Sequence, residues 1–298
     1  MPELPDVLLY IEALKPRIVG QPIVRIRLAS PFLVRSVSPP IAAIQNQTVR
    51  SLSRLGKQIV WEFNDDLYLV VHLMIAGRFQ WKETGAKIPG KLGLIAFDFP
   101  GGTLLLTEAG SKKRASIHLV EGKAALAAFD RGALEVLDSS LPAFKRTLTS
   151  ENHTLKRALT DPRLFSGIGN AYSDEILHRA RLSPMKLTSK LSDPEIARLH
   201  DATQQTLLEW IERLQRETGS QFPTKVTAFR SEMAVHGRYG QPCPVCGSPV
   251  QRIVYAENEC NYCATCQTDG RLLADRALSK LLKQDWPRSL EEWELRRV

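Results

Sequence analysis

The sequence predicts an α+β protein, with an antiparallel β-sandwich or barrel first and a helical half after it. Three observations carry that prediction. Short strand-like runs broken by turn residues fill residues 22–120. From about residue 124 the apolar positions change to helical spacing. All five cysteines then crowd between Cys243 and Cys266, too odd and too clustered a set for a disulfide framework.

In chain order, Val7, Leu8, Ile11, Leu14 and Ile18 fall on one face of a helix that follows Pro5 and stops at Gly20. Residues 23–28, 58–63 and 67–73 read as strands, and Asn64-Asp65-Asp66 and Pro100-Gly101-Gly102 read as turns between strands. Many short strands in succession suggest an antiparallel sandwich or barrel. Helical spacing then appears in residues 124–129, 155–159, 171–180 and 196–214. The expected domains are 1–140 and 141–298, the second including a cysteine segment at 237–270 and an extension at 271–298. In the extension, Leu272, Leu273, Leu278, Leu281 and Leu282 predict a packed helix.

The 298 residues are 43% hydrophobic, enough to bury one large or two modest cores. A net charge of +8 suits a polyanionic partner. No apolar run is long enough to cross a bilayer and no export signal opens the chain, so the expectation is a cytoplasmic protein.

Cys243-Pro-Val-Cys246 and Cys263-Ala-Thr-Cys266 are two C-x-x-C pairs separated by sixteen residues. Each pair forms a knuckle presenting two thiolates, and the stretch between them can form a β-hairpin, which together suit one structural Zn²⁺. Cys260 and Cys263 make a third C-x-x-C pair, and a tetrad built on it leaves Cys266 spare. The strand-like run at 250–255 favours Cys263 and Cys266, with Cys260 a bystander thiol.

At the other end the chain reads Met1-Pro2-Glu3-Leu4-Pro5. Removal of Met1 leaves Pro2 as a secondary amine beside a carboxylate. Such an amine attacks an aldehyde carbon to give an iminium ion, an electron sink that drives elimination. An α-amino group also titrates near neutrality, unlike lysine.

The pairing of Pro-Glu-Leu-Pro at one end with a four-cysteine hairpin at the other resembles the formamidopyrimidine-DNA glycosylase / endonuclease VIII family. Leu55-Gly56-Lys57 looks like the family's sheet lysine, Val71-His72-Leu73-Met74-Ile75-Ala76-Gly77 is similar to its His-Leu-x-x-x-Gly strand end, and Gly167-Ile168-Gly169-Asn170-Ala171-Tyr172-Ser173-Asp174-Glu175 resembles its helix–two-turn–helix signature. The resemblance implies an N-terminal β-sandwich, a helical helix–two-turn–helix domain with a zinc hairpin, and damaged double-stranded DNA bound between them by a monomer, associated with the nucleoid. It implies a base-excision repair glycosylase with AP lyase activity. Pro2 attacks C1′, Glu3 moves a proton to the sugar ring oxygen, and Lys57 grips a nearby phosphate. Asn170 and Lys156 are the expected phosphate contacts of the helical half. A DNA-damage sensor without turnover and an AP lyase without base excision are the alternatives. His72 is read as structural rather than as an acid or base.

The departures all concern lesion reading. Asn258 stands where the family's hairpin has a phosphate-gripping arginine, with Arg252 and Arg271 as candidates to compensate. Of the methionine, arginine and phenylalanine with which the family's oxidised-purine enzymes fill the hole left by a flipped base, the methionine falls at Ile75, next to Met74, and the Arg-x-Phe-Gly segment falls on Lys112-Lys113-Arg114-Ala115, which lacks the aromatic. Lys112 and Arg114 are therefore expected to contact DNA. The stretch from Phe229 to Arg238 leaves little room for a loop covering 8-oxoguanine. The expected substrates are oxidised pyrimidines, ring-opened purines and abasic sites.

Overall fold

The computed structural model describes residues 1–255, 258–274, 281 and 287–295. The chain divides into two compact units, one made of residues 1–131 and 210–228, the other of residues 132–209 and 229–298.

The first unit opens with α1 (Leu4–Ile18), preceded by Glu3 at the N-cap. Its Leu4, Val7, Ile11, Leu14 and Ile18 are buried at the expected three- and four-residue spacing. Eight strands follow: β1 (Arg25–Leu28), β2 (Ser51–Leu55), β3 (Gln58–Glu62), β4 (Leu67–His72), β5 (Gly77–Lys82), β6 (Gly93–Phe99), β7 (Gly102–Glu108) and β8 (Ser116–Glu121). They form two four-stranded antiparallel sheets, ordered β1-β6-β7-β5 and β2-β3-β4-β8. Trp61, Phe63, Leu69, Val71, Phe79, Phe97, Phe99, Leu104 and Leu106 share one core with Tyr10 and Leu14 of α1. Trp61 is its centre, with ring centroids 5.1 Å from Phe97 and 6.3 Å from Phe99. Residues 67–71 are buried without alternation because Tyr68 and Val70 pack beneath Leu126, on α2 (Lys123–Ala127), and Phe129. The one carboxylate inside β6, Asp98, is held by both arms of Arg27 at 2.7 and 2.8 Å and by the Thr103 hydroxyl at 2.6 Å, as a buried charge requires.

Three connections carry the chain between the sheets, β1 to β2, β4 to β5 and β7 to β8, and the last two are short. Residues 73–76 join β4 to β5, and residues 109–115 join β7 to β8. His72 pairs with Ser116 in one sheet and Gly77 with Glu108 in the other, so the two connections lie side by side at one end of the sandwich.

The second unit holds α3 (Leu141–Leu148), α4 (Leu155–Thr160), α5 (Asn170–Arg179) and the first part of α6 (Asp193–Thr218). The hairpin of β9 (Gln251–Tyr255) and β10 (Asn258–Tyr262) follows, then α7 (Ala264–Thr268) and α8 (Leu290–Leu295). The chain after Gly270 turns back on this hairpin. Leu272 is buried against Ile253, Cys260, Tyr262 and Ala264, with Leu290 packed alongside. The Leu272 N–H donates to the Arg288 carbonyl at 3.0 Å. Leu272 and Leu273 are thus irregular chain on the hairpin rather than the expected helix, Leu281 is exposed, and Leu278 and Leu282 lie outside the described residues.

Candidate functional site

The N-terminus is an interior feature. Pro2 and Glu3 are buried, Glu3 to 2% exposure, because α1 starts on them and its first turn enters the core. The Asp6 carboxylate accepts the Glu3 backbone N–H at 3.0 Å, one half of a capping box. Burial holds the chain's α-amino group, on Met1, below its ordinary value near 8. The Glu3 charge opposes that shift, and Arg78 and Lys57 reinforce it. An amine, a carboxylate and two cations therefore share one locality. Lys57 gets there on the β2–β3 turn, where Gly56 takes a φ of 60° that an L side chain rarely adopts.

Arg78 went unnoticed in the sequence, although it directly follows the glycine of the His-Leu-x-x-x-Gly segment. Its guanidinium donates to the carbonyls of Gly77 at 2.6 Å and Ile75 at 3.1 Å. It links the amine's surroundings to the 73–76 turn. In that turn Met74 sits at a left-handed φ of 51°, and its N–H donates to His72 Nδ1 at 3.0 Å. His72 is pushed down to about 4 by burial and by the charges of Lys57, Arg131 and His118. It is a neutral acceptor that staples a turn, in keeping with its structural reading. Gly77 is obligatory there, since a Cβ would meet the Leu73 carbonyl oxygen at 2.3 Å. Ile75 is presented outward, 52% exposed. Lys112 and Arg114 are exposed on the neighbouring connection.

In the second unit, Gly167 takes a φ of 81° in the approach to α5, which begins at Asn170. The Asn170 side-chain amide donates to the Glu259 carbonyl of the hairpin at 2.9 Å. Lys156, expected to reach a phosphate, points inward. It is 5% exposed, and its ammonium donates to the Asn170 carbonyl at 2.6 Å, the Ser173 hydroxyl at 2.8 Å and Asp174 at 2.6 Å. Asp174, fully buried, also receives His236 Nδ1 at 2.8 Å, the Asn261 N–H at 3.1 Å and the Cys260 thiol at 3.3 Å. Burial and the nearby Asp174 charge raise the Cys260 pKa well above its usual value, so it stays a thiol donor. Cys260 is therefore part of a buried polar network rather than a bystander. Glu175 holds the next loop by accepting the N–H groups of Ala234, Val235 and His236 at 2.7 to 2.9 Å.

Cys243, Cys246, Cys263 and Cys266 bring their sulfurs within 4.8 Å of one another. Cys243–Cys266 and Cys246–Cys263 are 3.9 and 3.4 Å apart, against about 3.8 Å for two sulfurs on one tetrahedral zinc. The donor set fits that ion. His178, also missed in the sequence, places Nε2 3.2 Å from the Cys243 sulfur. Burial, with Arg181 and Arg179, pushes it down to about 4, so a neutral ring can donate to a coordinated thiolate. Arg252 lies 3.6 Å from Glu259, with its guanidinium 4.3 Å from the Tyr239 ring centroid. The Asn258 side chain lies outside the description.

Among the described residues no helix is long and apolar enough to cross a membrane. The formamidopyrimidine-DNA glycosylase N-terminal domain matches residues 1–114, and the formamidopyrimidine-DNA glycosylase H2TH domain matches residues 135–222. A formamidopyrimidine-DNA glycosylase of Thermus thermophilus is 31% identical over 91% of this chain and 100% of its own length. An uncharacterized formamidopyrimidine-DNA glycosylase-like protein of Mycobacterium tuberculosis is 40% identical over 50% of this chain and 92% of its own. Among solved structures, the Lactococcus lactis formamidopyrimidine-DNA glycosylase bound non-covalently to DNA containing an AP site superposes with a TM-score of 0.78 at 26% identity. It covers 89% of this chain and 99% of that one. The N-terminal sandwich, the helical domain and the cysteine cluster thus converge with these matches: the chain belongs to the formamidopyrimidine-DNA glycosylase family.

Proposed function

We propose that this protein is a base-excision repair glycosylase with an AP lyase step, acting as a monomer on damaged double-stranded DNA in the cytoplasm. The observation that carries the proposal is the half-buried terminal amine gathered with the buried Glu3, and with Lys57 and Arg78. Once Met1 is removed, the Pro2 nitrogen inherits those surroundings. Burial favours its neutral, nucleophilic form.

The Pro2 nitrogen forms a bond to C1′ as the glycosidic bond breaks and the base departs with a proton. Glu3 carries a proton to the ring oxygen, opening the sugar to an iminium ion. Loss of a C2′ proton expels the 3′ phosphate, and a second elimination expels the 5′ phosphate. Water then adds to the remaining iminium ion, and the C–N bond breaks to free the Pro2 amine and release the sugar remnant as an aldehyde. Lys57 would hold a phosphate against this centre. The target base must leave the stack, at a cost of a few kcal/mol. In the second unit, Asn170 would offer its remaining amide hydrogen to a phosphate. Cys243, Cys246, Cys263 and Cys266 would hold one structural Zn²⁺, which keeps the hairpin folded when bound. Oxidised pyrimidines, ring-opened purines and abasic sites are the proposed substrates, because Lys112 and Arg114 occupy the segment where an aromatic wedge is absent.

Borohydride trapping tests this. Met1-processed protein is offered duplexes carrying an abasic site, 8-oxoguanine, ring-opened guanine, thymine glycol or 5-hydroxyuracil. A covalent adduct on damaged bases that is lost in Pro2→Gly is the expected result. Trapping on the abasic duplex alone leaves a lyase, and tight binding without trapping leaves a damage sensor.

A further inference from the structure

Glu108 has no part in the chemistry above, yet it is 1% exposed and ends β7 where connection 109–115 begins. Its carboxylate reaches across that connection to the far end. One oxygen accepts the Arg114 N–H at 3.0 Å; the other accepts the Arg114 and Ala115 N–H groups at 2.9 and 3.1 Å. The Lys113 ammonium donates to the Glu108 carbonyl. A carboxylate accepting main-chain N–H groups is a strong, directional anchor, and removing it strands buried donors. The anchor closes the connection from inside, while Lys112 and Arg114 remain exposed on the outside. Ala115 is the only apolar residue of the connection that is buried, so hydrophobic packing does little to fix its shape. Gly77, which closes the Met74–Ile75 turn, is the strand partner of Glu108. The carboxylate therefore sets the cationic connection against that turn.

We propose that Glu108 is the positioning residue of a cationic reading loop, which holds Lys112 and Arg114 beside Met74 and Ile75 so that a duplex missing a base is recognised by charge. The inference rests on the proposed function and adds to it a residue and a mode of recognition. An aromatic wedge recognises a vacated stack largely by stacking, whereas Lys112 and Arg114 recognise exposed sugar-phosphate and orphan-base edges. Preference for a vacated site should then weaken as salt rises.

The test measures affinity for a duplex carrying a tetrahydrofuran abasic analogue and for the intact duplex, at about 0.05 M and about 0.2 M salt. Wild-type protein, Glu108→Gln, Lys112→Ala/Arg114→Ala and the triple variant are compared. The expected result is a wild-type preference for the analogue that shrinks with salt and falls about fivefold or more in Glu108→Gln. The triple variant should be no worse than Lys112→Ala/Arg114→Ala, as expected for groups acting through one another. Lack of any wild-type preference, a salt-independent one, or an undiminished preference in either Glu108→Gln or Lys112→Ala/Arg114→Ala overturns the inference. Should Glu108→Gln fail to fold, Glu108→Asp, which keeps the carboxylate but shortens its reach to the Arg114 and Ala115 N–H groups, takes its place with the same outcomes. Borohydride trapping of the wild type on an abasic duplex separates the two claims: no adduct overturns the proposed function, while an adduct with unchanged discrimination in the variants overturns only the role of Glu108.

Discussion

The Asn170 side-chain amide donates to the Glu259 backbone carbonyl at 2.9 Å. This bond ties the first residue of α5 to strand β10 of the cysteine hairpin. The Lys156 ammonium holds the Asn170 carbonyl from the other side. The start of α5 and the hairpin thus act as one piece, and the orientation of the Asn170 side chain depends on the hairpin being folded.

That coupling predicts an order of effects. Asn170→Ala removes the bond, and Asn170→Asp replaces it with two facing acceptors. Each should weaken DNA binding, by on the order of 1–3 kcal/mol, with Asp the more damaging. Fluorescence anisotropy on a short abasic duplex measures it. Equal affinities for all three proteins would show that the bond carries no weight in DNA binding.

Metal removal should reach the same surface. Stripping zinc, verified by metal analysis, should unfold the hairpin and lower DNA affinity about tenfold or more. Cys246→Ala should do the same without a chelator. Unchanged affinity in verified metal-free protein would place the hairpin away from DNA.

The sequence made much of this legible where the information is local. The C-x-x-C spacing picked out four sulfurs that converge, and apolar runs marked strands that pair. What stayed hidden depends on tertiary meetings. Nothing near Lys156 signals that Ser173 and Asp174 face it, so its resemblance to the family's phosphate-contacting lysine stood unopposed. Cys260 looked spare because its partner, Asp174, lies 86 residues away. Arg78 and His178 have no motif of their own; each matters through what it meets in the fold, the Gly77 and Ile75 carbonyls or the Cys243 sulfur.

The inward turn of Lys156 makes a prediction that separates its two roles. Lys156→Met leaves Asp174 buried without its ammonium, which should cost about 3–5 kcal/mol in denaturant unfolding. Asp174→Asn in the same chain should recover part of that loss. The dependence of DNA affinity on salt should keep its wild-type slope in Lys156→Met, because an inward ammonium releases no counterion. A slope reduced by about one would place Lys156 on a phosphate after all.

His72 supplies a pH dependence with a defined sign. As the acceptor of the Met74 N–H it must be neutral at Nδ1, and its folded pKa is pushed down to about 4 from the ordinary 6.5. A group depressed on folding contributes stability that is complete above the unfolded value. That stability is lost as pH falls from about 6.5 through about 4, here by on the order of 3 kcal/mol at most. His118 and His178 are depressed as well, so the wild-type slope over this window is a sum, and only a difference isolates His72. His72→Gln keeps an acceptor but cannot take up a proton. Its unfolding free energy should therefore fall less steeply than that of the wild type between pH 6.5 and pH 4. His72→Ala removes the acceptor and should be less stable than both near neutrality, by about 1–2 kcal/mol, since the left-handed Met74 turn loses its staple. Parallel pH curves for wild type and His72→Gln would mean that the imidazole takes up its proton equally in the folded and unfolded chain, and that the Met74 turn is held by something other than His72.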